Sequence, residues 1–181
     1  DHATGSYNTF VGGKAGDGGR AVAPYSSGES NVAIGYQALT AFTTGDINIA
    51  IGHQAAMGVS TGNANVVIGR SSFSSATTTS NVVLIGDEAG KAINSTDADG
   101  TVAIGYQAGD AITSGQYNTA IGYQSLSAED DGDGNTAVGY KALKAQTGTS
   151  GTVGNTAVGL QAGTAVTTGT RTTLMGYQAG L

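Results

Sequence analysis

A short string, Asn-Thr-Ala-Ile-Gly-Tyr-Gln at residues 118–124, returns in variant form from one end of the chain to the other. Its glycines are Gly12, Gly35, Gly52, Gly69, Gly86, Gly105, Gly122, Gly139, Gly159 and Gly176, separated by 23, 17, 17, 17, 19, 17, 17, 20 and 17 residues. A constant period with a few lengthened intervals is the mark of a solenoid, in which each repeat leans on its neighbours and none folds alone. Residues 1–181 therefore read as one array of about ten coils.

With the glycine as position zero, −1 carries Val11, Ile34, Ile51, Ile68, Ile85, Ile104, Ile121, Val138, Val158 and Met175, and −3 carries only Thr, Val or Ile. Between them −2 is most often Ala. This period-2 alternation makes each copy a short β-strand. The larger side chains at −3 and −1 are expected to face the core. A second apolar column is expected at +7, with Phe42, Val59, Ala76, Ile112 and Val166. Gly45, Gly62, Gly115, Gly132 and Gly169 at +10 mark a second corner, so each coil is expected to hold two strands and two turns, without helix.

Asn stands at −4 in most copies. Asn31, Asn48, Asn118, Asn135 and Asn155, with Gly35, Gly52, Gly105, Gly122 and Gly139, are expected to form a structural ladder, because Asn tolerates the left-handed corner and bonds the backbone around it. Tyr-Gln after the glycine predicts stacked Tyr and Gln columns at ~4.8 Å spacing. Extra residues in the three long coils must lie outside. The largest insertion, residues 17–30, makes Arg20, Pro24 and Tyr25 a candidate recognition loop.

These motifs resemble two families. Asn31-Val-Ala-Ile-Gly35 and Asn81-Val-Val-Leu-Ile-Gly86 are similar to the head repeats of trimeric autotransporter adhesins, and Asn118-Thr-Ala-Ile-Gly-Tyr-Gln124 is similar to repeats of phage tail fibres. The resemblance implies a left-handed parallel β-roll, three chains around one axis, in a virion tail fibre or at the cell surface. It departs from the adhesin motif in coil length and in Tyr-Gln where the adhesins carry Ser.

Composition narrows the function. Seven Lys plus Arg against a net charge of −6 leave no basic stripe for nucleic acid. No apolar run approaches the ~20 residues that cross a bilayer. With His2 and His53 alone and no cysteine, thiolate or histidine metal sites and a Ser-His-Asp triad lack raw material. The acidic stretch Glu129, Asp130, Asp131 and Asp133 is the place to weigh paired carboxylates, but no Trp is present for sugar stacking, and no enzymatic activity is expected. Asp131 and Asp133 space their oxygens as a calcium loop begins, yet Ala142 stands where its closing glutamate would be, so the calcium reading is weak. No other cofactor is expected.

The expected function is a non-enzymatic structural or adhesive fibre segment, homo-oligomeric and met by a surface glycan or protein receptor. Two alternatives are an ice-binding solenoid using the hydroxyl column Ser26-Ser27, Thr43-Thr44, Ser60-Thr61, Thr77-Thr78, Thr113-Ser114 and Thr167-Thr168, and a self-assembling filament subunit. For the latter, Tyr177–Leu181 followed by Asp1–Asn8 restores the 17-residue phase, so the chain is expected to be an excerpt of a longer array or a unit that continues end to end.

Overall fold

The computed structural model describes residues 5–18, 26–75, 78–148 and 150–181. It is an all-β parallel solenoid. The strands are β1 (Thr9–Val11), β2 (Val32–Ile34), β3 (Ile49–Ile51), β4 (Val66–Ile68), β5 (Val83–Ile85), β6 (Val102–Ile104), β7 (Thr119–Ile121), β8 (Gly132–Asp133), β9 (Thr136–Val138), β10 (Gly151–Thr152), β11 (Thr156–Val158) and β12 (Thr173–Met175). Ten of them form one sheet in the order β1-β2-β3-β4-β5-β6-β7-β9-β11-β12, every pair parallel. The register follows the repeat: Ala33 faces Ala50, Val67 faces Leu84, and Ala120 faces Ala137.

The inside and outside of that sheet are the reverse of the sequence expectation. Ala33, Ala50, Val67, Leu84, Ala103, Ala120, Ala137 and Ala157, all at −2, are the fully buried residues of their strands. The β-branched neighbours at −3 and −1 turn outward and are only part-covered. The reason is room. A coil this short encloses a thin interior, and an inward strand position must fit the volume the opposite wall leaves, most often that of Ala, with Leu84 accommodated where Gly90 stands opposite. Val, Ile and Thr at the flanking positions stiffen the strand whichever way they point.

The opposite wall supplies most of the core volume. Position +3 buries Ala38, Ala55, Ala108 and Ala142, position +4 buries Leu39, Phe73, Leu126 and Leu143, and position +7 buries Phe42, Val59, Ile93 and Ile112. Volumes compensate between columns. Where +4 is Gly90, the space belongs to Leu84 and Ile93, and a Cβ at Gly90 would lie 2.8 Å from Leu84 Cδ2.

This wall is not the second strand that the sequence suggested. Positions +2 and +4 take left-handed backbone, as at Gln37 (φ 56°) and Leu39 (φ 51°), or Gln124 (φ 49°) and Leu126 (φ 51°). Left-handed geometry costs a non-glycine residue about 1–2 kcal/mol. Hydrogen bonds along the axis offset it, alternating in direction: Gln54 N–H donates back to Tyr36 O at 2.8 Å, while Leu39 N–H donates forward to Ala55 O at 3.0 Å. Among the described residues a second pair of strands, β8 and β10, forms at the long coil after Gly139. The other described long coil, after Gly86, accommodates its extra residues in a 3-10 turn, Thr96–Ala98, contrary to the expectation of no helix.

Candidate lateral interface and the columns around it

The residues turned outward from the main sheet make a flat face. Column −3 runs Thr9, Val32, Ile49, Val66, Val83, Val102, Thr119, Thr136, Thr156, Thr173, and column −1 runs from Val11 to Met175; no charged side chain interrupts either one. Ten strands at ~4.8 Å spacing give a strip about 43 Å long and roughly 10 Å wide. Ile34 and Ile49 are each 37% exposed, Val11 56% and Met175 72%. Its lower half, β2 to β6, is purely aliphatic at −3, whereas β7, β9, β11 and β12 present Thr there.

The glycine column bounds one side of this face. Gly122 has φ 133°, in the half of the map that side chains avoid, and a Cβ there would lie 2.4 Å from Gly139 O of the next coil. Gly35 meets Gly52 O in the same way at 2.4 Å. Beyond this corner, Tyr106, Tyr123 and Tyr140 stack with ring centroids 5.1 and 5.4 Å apart, and Tyr36 stacks on His53 at 5.4 Å. Lys141 Nζ lies 4.9 Å from the Tyr140 ring centre. Next to the aromatic column runs the amide ladder, in which Gln54 donates to Gln37 at 3.0 Å, Gln124 to Gln107 at 2.9 Å and Gln178 to Gln161 at 3.2 Å.

Between the tyrosine groups the columns carry charge instead. Arg70 bonds Asp87 at 2.9 Å, and Lys91 bonds Glu88 at 3.2 Å. The Gln107 amide and then the Lys91 ammonium hold the Glu88 carboxyl below its ordinary range. Burial pushes Asp110 the other way, reinforced by Glu88.

The asparagine corner is buried and reciprocally bonded. Asn48 donates through Nδ2 to Gly62 O at 2.8 Å, and its Oδ1 accepts the Asn65 backbone N–H at 3.1 Å. Asn118 likewise donates to Gly132 O at 2.8 Å and accepts Asn135 N–H at 2.9 Å. Asn31 and Asn155 continue the same column. A second ladder, which the sequence reading missed, runs on the exposed side at −6. Asp46 accepts Glu29 N–H at 2.7 Å, Asn63 accepts Asp46 N–H at 2.8 Å, and Asp99 accepts Ser80 N–H at 2.7 Å. The recurrence of Asp, Asn or Ser six residues before the repeat glycine was its visible signal.

Asp133 belongs to that second ladder, since its Oδ1 accepts Gln116 N–H at 2.9 Å. Asp131 lies two residues away, and among the described residues no three His, Cys, Asp or Glu side chains converge to hold a metal ion. Glu129 points inward, fully buried in the +7 column, where its carboxylate accepts the N–H groups of Asp130, Gly132 and Gly148 at 3.1, 2.8 and 3.1 Å. It caps donors at the lengthened coil, and it does not pair with Asp130 across a groove. The hydroxyl column is also engaged along the axis: Ser26 donates to Phe42 O at 2.9 Å and Thr43 to Ser60 O at 3.1 Å. Arg20, Pro24 and Tyr25 lie outside the described residues.

Among the described residues no helix is long and apolar enough to cross a membrane. No protein-family profile, curated protein or solved structure matches the chain.

Proposed function

We propose that this chain is a non-enzymatic segment of a structural fibre, a phage tail fibre or bacterial surface adhesin, in which three copies pack side by side with their strand faces toward a common axis. The observation that carries this reading is the outward strip of Val, Ile and Thr, unbroken by charge over ten strands. Contiguous apolar surface of this shape is covered in soluble proteins by a partner. Each copy offers on the order of 400–500 Å² by strand spacing, an area shared between its two neighbours around the axis. A symmetric assembly about an axis parallel to the solenoid keeps like columns opposite one another. The fibre then holds a receptor-binding element, for a surface glycan or protein, away from the particle.

Sedimentation equilibrium tests the proposal. The wild-type chain is expected as a trimer at micromolar concentration. A double variant, Ile68→Lys with Ile104→Lys, is expected to sediment as a monomer with an unchanged far-ultraviolet circular dichroism spectrum. A folded wild-type monomer at these concentrations contradicts it.

A further inference from the structure

The tyrosines after the glycine corner form more than a border. Tyr106, Tyr123 and Tyr140 occupy the same position in three consecutive coils, and the register of the strands before them is fixed by the pairings of β6, β7 and β9. Their rings are nearly parallel, 18° apart in each pair, with centroids 5.1 and 5.4 Å apart. Each of the three residues remains 40–44% exposed, so an oxidant in solution reaches it. The remaining described tyrosines differ. Tyr36 has His53 as its ring neighbour, Tyr177 follows a coil that carries Leu160 in this column, and Tyr7 and Tyr117 stand at the strand's other end, before the asparagine corner.

In-register stacking sets the ring carbons beside the phenol oxygen of one tyrosine across from those of the next. That is the arrangement from which two phenoxyl radicals couple. We infer that the Tyr106–Tyr123–Tyr140 column is a site of oxidative tyrosine coupling that joins neighbouring coils by a carbon–carbon bond. The co-reactant is an external one-electron oxidant, of the peroxidase or photo-excited metal-complex class. Each of two rings gives one electron to the oxidant, which is reduced, and one phenolic proton to water. The two radicals combine at the carbons ortho to oxygen, forming one carbon–carbon bond. The hydrogens on those carbons then leave as protons while the phenol oxygens are reprotonated. In balance, two C–H bonds break, one C–C bond forms, two protons and two electrons depart, and both hydroxyls are kept. Because Tyr123 has a partner on either side, coupling ties it to Tyr106 or to Tyr140. The product is a covalent staple along the solenoid axis, closing a loop of one coil and raising resistance to unfolding.

The experiment is photo-oxidation of the dilute whole chain with a ruthenium tris-bipyridyl complex and persulfate, followed by denaturation, digestion and mass spectrometry. A protease cutting after Asp and Glu separates the three tyrosines, since Asp110 lies between the first two and Glu129 to Asp133 between the last two. Expected are cross-linked peptide pairs containing Tyr106 with Tyr123 and Tyr123 with Tyr140, each lighter by two hydrogens than the sum of its parts. Their yield should not depend on protein concentration. Tyr123→Phe keeps a stacked ring and should remove both products, whereas Tyr117→Phe should leave them unchanged. Leu160→Tyr should add coupling at position 160 to both Tyr140 and Tyr177, located by fragmentation because all three positions lie on the one peptide after Asp133. Coupling dominated by the more exposed Tyr7, Tyr117 or Tyr177, a yield that rises with concentration, or products that survive Tyr123→Phe would each overturn the assignment.

Discussion

Asn48 sits at the buried corner between the coils of Gly35 and Gly69, and replacing it with Ala tests how much of the stack depends on that ladder. Its side chain makes four hydrogen bonds: Nδ2 donates to Gly62 O at 2.8 Å and to Asn31 Oδ1 at 3.1 Å, and Oδ1 accepts from Asn65 N at 3.1 Å and Asn65 Nδ2 at 2.9 Å. Two neighbours keep another partner, because Asn31 Oδ1 still accepts Asn48 N–H and Asn65 Nδ2 still reaches Thr79 O. Two others, Gly62 O and Asn65 N–H, lose the partner that Asn48 gave them. At about 1–3 kcal/mol for each buried group left unpaired, Asn48→Ala should cost about 2–6 kcal/mol. Asn63→Ala is the control: it removes the acceptor of Asp46 N–H on the exposed ladder, where water substitutes, and should cost less than about 1 kcal/mol. Urea unfolding followed by both far-ultraviolet circular dichroism and tyrosine fluorescence is the assay, two probes being needed because repeat arrays can open locally. Equal midpoints for the two variants would refute the reasoning.

Leu126→Ala empties a fully buried site at +4 and should destabilise by about 2–5 kcal/mol in the same assay, whereas Leu160→Ala, on the surface, should fall within about 0.5 kcal/mol of wild type. Asp110 gives a pH dependence of known sign. Burial raises its folded-state pKa above the ordinary value of 3.8, so the stability it contributes is present below that value and lost as pH rises through the raised one. Asp110→Asn should therefore stabilise the chain at neutral pH relative to wild type and flatten the stability–pH curve over that window, as read from urea midpoints at a series of pH values.

The period, the strands and the parallel stack were legible in the sequence because they depend on spacing alone, and spacing is what the glycines state. Which face of the strand points inward was not. An alternation such as Thr119-Ala120-Ile121 has two faces, and hydrophobicity favours the wrong one here; only the volume available in so thin a coil decides for Ala120. The turn-rich wall escaped for a related reason. Gln37 and Leu39 have no intrinsic preference for left-handed backbone, and they adopt it because neighbouring coils accept and supply their hydrogen bonds. Glu129 misled as part of an acidic string, since adjacent carboxylates in sequence say nothing of which one turns into the core. The asparagine corner was readable from Asn alone, but the ladder through Asp46, Asn63, Ser80 and Asp99 hides its regularity by changing residue type while keeping an acceptor oxygen.

The central claim is that position −2 fills the coil while −3 and −1 face outward, onto the surface proposed to meet neighbouring copies. The absence of natural cysteine lets a single introduced thiol report on each position. Thr119→Cys, Ala120→Cys and Ile121→Cys should be made one at a time and labelled with a small thiol reagent across a concentration series, with folding checked by circular dichroism. The Ala120→Cys thiol is predicted to stay protected at every concentration until the chain unfolds. The other two should label freely in dilute solution and become protected as concentration rises. An Ala120→Cys thiol that labels as fast as that of Ile121→Cys in the folded chain, or an Ile121→Cys thiol shielded even at the lowest concentration, would contradict the account.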